Sequence, residues 1–499
     1  SFCAGGLRVV ADSASYWFKA GNAIFQIPMG YSLALLGAGY MVGLAGGIAI
    51  LLGIVIAWGV LVPYFSATLP QPADVDMATF ALTLWKEKVR FIGAGTLGVA
   101  AVWTLIMLLK PMAEGMRLSL AAMRAPQDYQ RSRVEQDLSP KAMIGWTLGM
   151  LVMLGLSFHH FVDSAAISDT AGWILVLLGT LLSFFIGFLV AAACGYMAGL
   201  VGSSSSPISG VGIVSVVIVS LVLLVYGESA GLFAHEGNRQ FMLALTLFVG
   251  SAVVSVASVS NDNLQDLKTG WLIQATPWRQ QVALIIGCVV GALVIAPVLE
   301  MLYQAYGFTG AMPREGMDVK QALAAPQATL MTTIATGIFS HNLQWNYIFT
   351  GIGIGVALII VDRLLRSRPG TNLSLPVLAV GMGIYLPPAV NMPIVIGTVL
   401  ATLVRKRIQR RHADRKEAEP YLKRAERTGT LMAAGLIVGE SLMGVIMAFI
   451  IAFSVTSGGS DAPLALSLEN WDDAASWLGL AAFVVGAALL VGRVMKAAR

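Results

Sequence analysis

Long apolar runs alternate with short polar links along almost the whole chain. Runs of about 20 residues can cross the roughly 30 Å hydrocarbon core of a bilayer as α-helices. Three apolar stretches, 24–38, 329–340 and 373–404, are interrupted by Gly, Pro or polar residues and are not predicted to be simple spans. Uninterrupted runs predict membrane helices at 41–62, 90–110, 143–158, 173–200, 207–226, 240–258, 281–305, 344–361, 430–455 and 474–492. The pattern therefore predicts an all-α polytopic membrane protein.

The composition agrees with a chain that has lipid as its solvent. Hydrophobic residues make up 57% of the 499 positions and charged residues only 12%, against about a quarter charged in a water-soluble domain. The mean hydropathy is +0.77. The net charge of +5 does not indicate a nucleic-acid partner, because Lys and Arg are concentrated in the links between apolar runs. We therefore expect an integral protein of a lipid bilayer.

The distribution of basic residues predicts the orientation of the chain. The links 113–142, 362–372 and 404–429 hold five, three and ten Lys or Arg residues, so the positive-inside rule places them in the cytoplasm. The links 159–172 and 456–473 hold none and are expected outside.

Interrupted helices are the first indication of function. Pro387, Pro388 and Pro393 lie with Asn391 inside the apolar stretch 373–404. Backbone that leaves a helix at membrane depth is tolerated only where protein or a water-filled cavity satisfies it, and transporters use such breaks to bind a solute. We expect re-entrant or broken helices here and at 24–62, with Asn391 on the substrate pathway.

A serine run gives a second candidate interruption. Residues 203–206 are all Ser and are followed by Pro207, between two predicted spans. The same break argument makes Ser206 a candidate pathway residue. A short polar turn at the membrane surface explains the run equally well.

A weak internal echo supports two related halves. Residues 29–43 resemble 381–397 in apolar and helix-breaking character, and 94–99 resemble 440–445 at a similar distance downstream. We predict that 1–150 is the remainder of a first transmembrane half and that 151–499 is the second. Since the chain starts within an already patterned segment, we expect further spans before it. Lys86, Lys88 and Arg90 leave the sense of the repeat open.

Glu440 is the charge that the sequence makes hardest to tolerate. It lies about ten residues into an apolar run, where a carboxylate costs about 2.5–3.5 kcal/mol on insertion scales. It should therefore face the protein interior, paired or protonated, and it is our candidate proton-coupling group. The alternative is a Glu held by a neighbouring hydroxyl such as Ser441 for structure alone.

A polar stretch at 261–277 separates two long apolar runs. On a helix, Asp262 and Asp266 fall at i and i+4 on one face, whereas Lys268 is about 160° round from Asp266. Lys268 could then meet a carboxylate of a cargo, and Asp266 an ammonium group. The amides of Asn263 and Gln265 extend the candidate site. The alternative is a cytoplasmic helix–loop–helix in which Lys268 only obeys the positive-inside rule.

Several stretches carry a family resemblance. They are Asn263-Leu-Gln-Asp-Leu-Lys-Thr-Gly270, Ala275-Thr-Pro277 with Gln280 and Gln281, 202–210, Gly435-Leu-Ile-Val-Gly-Glu-Ser-Leu442, and Tyr385-Leu-Pro before Pro393-Ile. In these stretches the chain resembles the oligopeptide transporter (OPT) family, which includes the yellow-stripe-like metal-chelate carriers. The resemblance covers essentially the whole chain, most closely with bacterial members. It departs from the family pattern at His341 and Gln344.

The resemblance implies proton-driven secondary transport of small peptides or peptide-like metal chelates across a bacterial cytoplasmic (inner) membrane. No cofactor and no protein metal site is expected, because a chelate brings its own ligands. Homo-oligomers are possible partners, and nucleic acid is not expected. A channel for a polar solute is the alternative function, because interrupted helices also build pores.

An enzyme is not indicated by the motifs. The phosphate-binding loop of an ATP-driven pump is absent from the sequence, and His235-Glu236 is followed by Gly-Asn-Arg rather than by the second histidine of a metalloprotease. Cys3, Cys194 and Cys288 are far apart and indicate neither a disulfide framework nor a metal site.

Overall fold

The computed structural model divides into two compact units that interleave along the chain. The structure describes residues 2–124, 132–165, 167–201, 208–234, 236–308, 322–323, 325–340, 344–367, 373–411, 415–460, 462–466 and 471–498. The first unit, called the hairpin unit, comprises Ser1–Leu97, Pro297–Ala324 and Trp345–Arg499. The second, called the bundle unit, comprises Gly98–Ala296 and Ala325–Gln344. The predicted division at 150/151 concerns the repeat halves and stays a prediction.

The described part of the chain is almost entirely helical, as predicted. A β-hairpin comes first, formed by β1 (Ser13–Ala20) and β2 (Ala23–Gly30). The helices are α1 (Leu33–Val42), α2 (Leu44–Ile54), α3 (Val62–Thr68), α4 (Met77–Leu84), α5 (Arg90–Arg124), α6 (Pro140–Asp163), α7 (Asp169–Val201), α8 (Ile208–Ser229), α9 (Glu236–Leu272), α10 (Pro277–Tyr306), α11 (Pro326–Ser340), α12 (Trp345–Arg366), α13 (Val377–Tyr385), α14 (Pro388–Arg411), α15 (Arg415–Thr456) and α16 (Asp472–Ala497). Wider π-type turns at Val55–Leu61 and Trp85–Val89 join α2 to α3 and α4 to α5.

Ten helical segments of the described chain are long and apolar enough to cross a membrane. Nine of the ten predicted spans coincide largely with one of these segments, although the break at Gly43 interrupts the start of 41–62. The predicted span 90–110 lies within α5, which is not one of the ten. The remaining segment is Pro388–Arg411, which the sequence prediction treated as part of a broken region. The fold class, an all-α polytopic membrane protein, is confirmed.

The β-hairpin is the element that the sequence analysis did not foresee. Its strands pair antiparallel with Ala20 opposite Ala23, and Gly21 makes the turn at a φ of +62°, which favours glycine. Alternation and aromatic side chains such as Trp17 suit a strand better than a helix. Ile24 on β2 is buried, and its N–H donates to Ser66 Oγ of α3 at 2.9 Å. The interrupted apolar stretch 24–38 therefore begins as a strand, which ends at Gly30.

Two broken helices pack against each other in the hairpin unit. The first break is Gly43, between α1 and α2, with a φ of +83° that side chains rarely tolerate. The second is Leu386 and Pro387, between α13 and α14. Helix α1 packs on α14, and α2 packs on α13. Exchanging the first hairpin for the second reproduces this pairing, while the division of the chain into two related halves stays a prediction.

Glycines bring these helices into backbone contact. A Cβ at Gly397 would collide with the Leu36 carbonyl of α1, and one at Gly383 with the Ile50 carbonyl of α2. Such close approach is how helices associate in lipid, where no hydrophobic force drives them together.

Glycines spaced four residues apart, a pattern that often marks helix contacts in lipid, differ from one another in this structure. A Cβ at Gly195 would meet Ser260 Oγ, and one at Gly351 would meet the Ile92 carbonyl, so these glycines lie at helix contacts. Gly145 and Gly149 have nothing within 4 Å and do not mark a contact within the described chain.

The bundle unit is built around α7, α8 and α9. Helix α9 packs against both α7 and α8. Helix α6 packs on α7, and α11 packs on α8. Large buried side chains, among them Phe158, Leu223 and Leu245, fill its core. Ser260 Oγ donates to the Ala191 carbonyl at 2.7 Å and ties α9 to α7.

Replacing Gly383 with Ala should weaken the hairpin unit, because the new Cβ must displace the backbone of α2. Overpacking of this kind costs about 1–3 kcal/mol. The measurement is thermal unfolding of the purified protein in detergent. Gly287→Ala on α10 is the control, since a Cβ there meets nothing within 4 Å and Ala favours a helix. A midpoint for Gly383→Ala that equals or exceeds the control would contradict the packing argument.

Candidate functional site

Glu440 of α15 lies beside the N-terminus of α1, the first part of the first broken helix. Its Oε1 accepts a hydrogen bond from Ser32 Oγ at 2.8 Å, and its Oε2 accepts one from the Ala34 N–H at 2.9 Å. Ser32 is also the N-cap of α1 and accepts from the Leu35 N–H at 3.1 Å. The first turn of a helix leaves N–H groups without partners. Here the Ser32 hydroxyl accepts from the Leu35 N–H, and the Glu440 carboxylate accepts from the Ala34 N–H.

The helix arrangement explains how Glu440 reaches this place. Helix α15 runs antiparallel to α1, since Gly429 packs on Tyr40 and Ala433 on Gly37 before Glu440 reaches the first turn. A carboxylate beside a helix N-terminus is also stabilised by the helix dipole, by about 0.3–1 kcal/mol at exposed sites and more when partly buried. Glu440 is half-buried in this position.

The hydroxyl that holds Glu440 is that of Ser32 and not that of Ser441. The Ser441 hydroxyl donates to the Ile437 carbonyl of its own helix at 2.9 Å, and the residue is exposed. The sequence analysis missed Ser32. A Ser before an apolar run is an ordinary N-cap signal, but its partner is 408 positions away.

Asn391 of α14 folds back onto the end of α13 in the second broken helix. The residue is fully buried, and its Nδ2 lies 3.4 Å from the carbonyl oxygens of Met382, Gly383 and Leu386. These carbonyls are at the end of α13, where a helix leaves acceptors without partners. Within the described chain Oδ1 of Asn391 has no hydrogen-bond partner. The prediction that Asn391 belongs to an interrupted helix is therefore matched by its position, while its place on a solute pathway stays a prediction.

The polar stretch at 261–277 continues a helix rather than ending one. Helix α9 runs to Leu272, and a turn with Gln274 at a φ of +60° leads into α10 at Pro277. Asp262, Gln265, Asp266 and Lys268 are exposed on this last part of α9, and Asn263 is half-buried. Lys268 Nζ lies 5.0 Å above the Trp271 ring. Asp262 and Asp266 are one turn apart, as predicted.

The other polar residues of this motif fasten the turn. Gln280 Nε2 donates to the Asp266 carbonyl at 3.0 Å, and Arg133 Nε donates to Thr276 Oγ1 at 3.0 Å. Gln281 accepts from the Leu138 N–H and donates to Asp137. The amides and the threonine thus hold a helix–turn–helix, and the carboxylates and the lysine stay exposed on it.

The structure separates the predicted residues into two groups. Glu440, Ser441 and Asn391 belong to the hairpin unit, and those of α9 to the bundle unit. Ser206 and His341 lie outside the described residues.

Other polar residues in apolar helices have local partners. Glu300 accepts from Gln304 Nε2 at 2.7 Å on its own helix. His159 Nδ1 lies 3.6 Å from Asp163 Oδ1. The His159 ring stacks on the Trp173 ring with 4.5 Å between the two centroids. The described chain contains no group of three or more His, Cys, Asp and Glu side chains that could hold a metal ion.

Comparison with known proteins decides the family. The family model described as "OPT oligopeptide transporter protein" matches residues 3–451. The chain belongs to the OPT oligopeptide transporter family. The family resemblance seen in the sequence is confirmed. The family is one of transporters rather than enzymes, and the OPT chain is an integral membrane protein with the helices described above.

Individual relatives of this OPT chain include a bacterial protein and plant proteins. A Haemophilus influenzae protein named "Putative oligopeptide transporter" is 56% identical over all of this chain and 78% of its own length. A rice protein named "Probable metal-nicotianamine transporter YSL14" is 23% identical over 83% of this chain and 54% of its own length. The Arabidopsis protein named "Metal-nicotianamine transporter YSL2" is 26% identical over 44% of this chain and 30% of its own.

Replacing Ser32 with Ala should destabilise the junction of α1 and α15. The change removes an N-cap and one hydrogen bond to a carboxylate, and we expect a loss of about 1–2 kcal/mol in unfolding free energy. Ser441→Ala, one residue from Glu440 but bonded only within its helix, should be nearly neutral. Unfolding in detergent measures both.

A double-mutant cycle with Glu440→Gln tests whether Ser32 acts through Glu440. The two substitutions should be non-additive, as they are for residues in direct contact. Additive effects would show that the hydrogen bond contributes nothing measurable.

Proposed function

We propose that this OPT chain is part of a proton-coupled secondary transporter that carries small peptides or peptide-like metal chelates across the bacterial cytoplasmic membrane. The names of its relatives supply the two cargo classes. The paired broken helices supply the kind of framework on which transporters build a solute site.

The observation that carries proton coupling is the position of Glu440. Both of its oxygens accept hydrogen bonds, one from the Ser32 hydroxyl and one from the Ala34 N–H. A proton on either oxygen turns an acceptor into a donor and removes the charge that attracts the helix terminus. Protonation would therefore loosen the junction of α15 with the first broken helix. Such a junction links proton binding to a change in helix packing.

Polar groups on α9 supply a candidate contact for the cargo. Asp262 and Asp266 carry negative charge on one face, and Lys268 carries positive charge beside Trp271. A peptide presents an ammonium and a carboxylate, and a chelate presents carboxylates. We propose that these exposed groups, with Asn263 and Gln265, bind the cargo. Their exposure is consistent with binding, because the turn below them is fastened by other residues.

Glu440→Gln should abolish or uncouple uptake that is driven by a pH gradient. The amide keeps the size of the side chain but cannot gain or lose a proton near neutral pH. The measurement is accumulation of a labelled peptide and of nickel–nicotianamine in proteoliposomes, with and without an inward proton gradient. Glu300→Gln is the matched control, since Glu300 is exposed and bonded only to Gln304 of its own helix.

Two outcomes would count against this proposal. An unchanged pH dependence in Glu440→Gln would remove Glu440 from the coupling mechanism. Flux that does not saturate, and that no proton gradient can drive uphill, would favour a channel over a carrier.

Neutralising Asp266 and Lys268 should weaken cargo binding without unfolding the protein. We expect the Asp266→Asn and Lys268→Gln variants to raise the KM for uptake about 10-fold, because each removes one charged contact. Gln280→Leu is the contrasting variant, since Gln280 fastens the turn and its loss should lower stability. Unchanged KM values in both charge variants would assign this part of α9 to structure alone.

A further inference from the structure

Two basic side chains lie among aromatic rings at the junction of α4 and α5. Lys88 belongs to the π-type turn Trp85–Val89, and Arg90 begins α5. Sequence analysis used them only as evidence about orientation. Their surroundings in the hairpin unit indicate a different role.

The guanidinium of Arg90 is held against two buried rings. Its Nη2 donates to Tyr385 Oη at 2.6 Å, and its Cζ lies 4.6 Å from the Tyr385 ring centroid and 5.3 Å from that of Trp85. Tyr385 and Trp85 are 3% and 4% exposed. The rings therefore fix the guanidinium by cation–π contact and one hydrogen bond.

The Nε–H donor of Arg90 takes no part in these contacts. Its Nε is buried and has no acceptor among the residues that the structure describes. A buried N–H without a partner costs about 1–3 kcal/mol, and more on a charged group. The indole Nε1 of Trp58 is in the same condition, and Trp58 lies 5.9 Å from Trp85 between ring centroids.

Lys88 is positioned in a similar way. Its Nζ donates to Tyr347 Oη at 2.8 Å and lies 4.9 Å from the Tyr347 ring centroid and 5.9 Å from that of Phe65. Within the described part of the chain, the ion pairs involve neither Lys88 nor Arg90. Two partly buried cations thus lack a counter-charge among the residues that the structure describes.

An ordinary interfacial role does not account for this arrangement. Lys and Arg at the end of a membrane helix usually extend their charged ends toward water. The neighbouring Lys86 is exposed in this manner. Arg90 instead turns its charged end toward Tyr385, the last residue of α13 before the second helix break.

We propose that Lys88 and Arg90 form a site for a carboxylate of the transported cargo. When movement at the neighbouring helix break exposes the buried Nε–H of Arg90, a carboxylate oxygen would accept from it, and the ammonium of Lys88 would add the second positive charge. This inference rests on the proposed function and names one chemical group that the cargo must carry. The site would place that group beside the break between α13 and α14.

Binding of tetra-alanine and of its C-terminal amide to the purified full chain in detergent tests the site. The two peptides differ only in the carboxylate, so the wild type should bind the free acid more tightly. Arg90→Gln and Lys88→Gln should each weaken binding of the acid about 10-fold or more and bring the acid-to-amide ratio close to one. Lys86→Gln is the matched control and should keep the wild-type ratio. Lys88→Arg keeps the charge and should keep the preference.

The outcomes separate the site from the proposed function. If the wild type prefers the acid and both Gln variants keep that preference, the carboxylate site is wrong while peptide transport stands. If the wild type binds neither tetra-alanine nor nickel–nicotianamine, the proposed function fails and the site with it. If it binds only nickel–nicotianamine, the same variants must weaken that binding, because this chelate carries carboxylates. Lys88→Gln decides the question if Arg90→Gln does not yield folded protein.

Discussion

The hydrogen-bonding demand of interrupted backbone governs the hairpin unit. Where a helix stops inside an apolar chain, lipid offers no partner to the N–H and C=O groups that are released. The start of α1 is satisfied by Ser32 and Glu440, and the end of α13 by the amide of Asn391. Ser32, Glu440 and Asn391 are therefore placed first by the needs of the backbone. Any role in transport is added to that structural one.

A structural role and a transport role are compatible in the same carboxylate. Under the proposed coupling, a carboxylate cap that takes up a proton would lose its charge and weaken the helix packing that it supports. Glu440 differs in this respect from Asn391, whose amide cannot titrate. The two helix breaks are thus held by groups of different chemistry, a carboxylate at the first and an amide at the second.

The sequence predicts the helices well because their signal is local. A run of about 20 apolar residues is sufficient to define a span. The break falls at Pro387, as proline chemistry favours, but Pro393 of the same predicted interruption lies inside α14. The β-hairpin was missed because its alternation of side chains is short and lies inside a region that reads as apolar. A glycine spacing was informative at Gly351, which contacts a neighbouring helix, and uninformative at Gly145, which does not. Spacing alone cannot distinguish a glycine that faces a helix from one that faces outward.

The candidate site was harder to predict because its contacts join distant parts of the chain. Glu440 could be selected from the cost of a buried charge, yet its partner Ser32 is 408 positions away. Arg90 looked like an ordinary basic residue at the end of a span until Tyr385, 295 positions away, was seen to hold it. Three-dimensional proximity of this kind leaves no periodic signal in a single sequence.

The crossed arrangement of the two broken helices has a mechanical consequence. Backbone touches backbone in both contacts, at Gly397 with Leu36 and at Gly383 with Ile50, and the Thr398 hydroxyl of α14 also bonds to the Gly39 carbonyl of α1. Close-packed interfaces of this kind resist gradual deformation. The four half-helices should therefore travel as a single solid block, and flexibility must be supplied by the segments that border it.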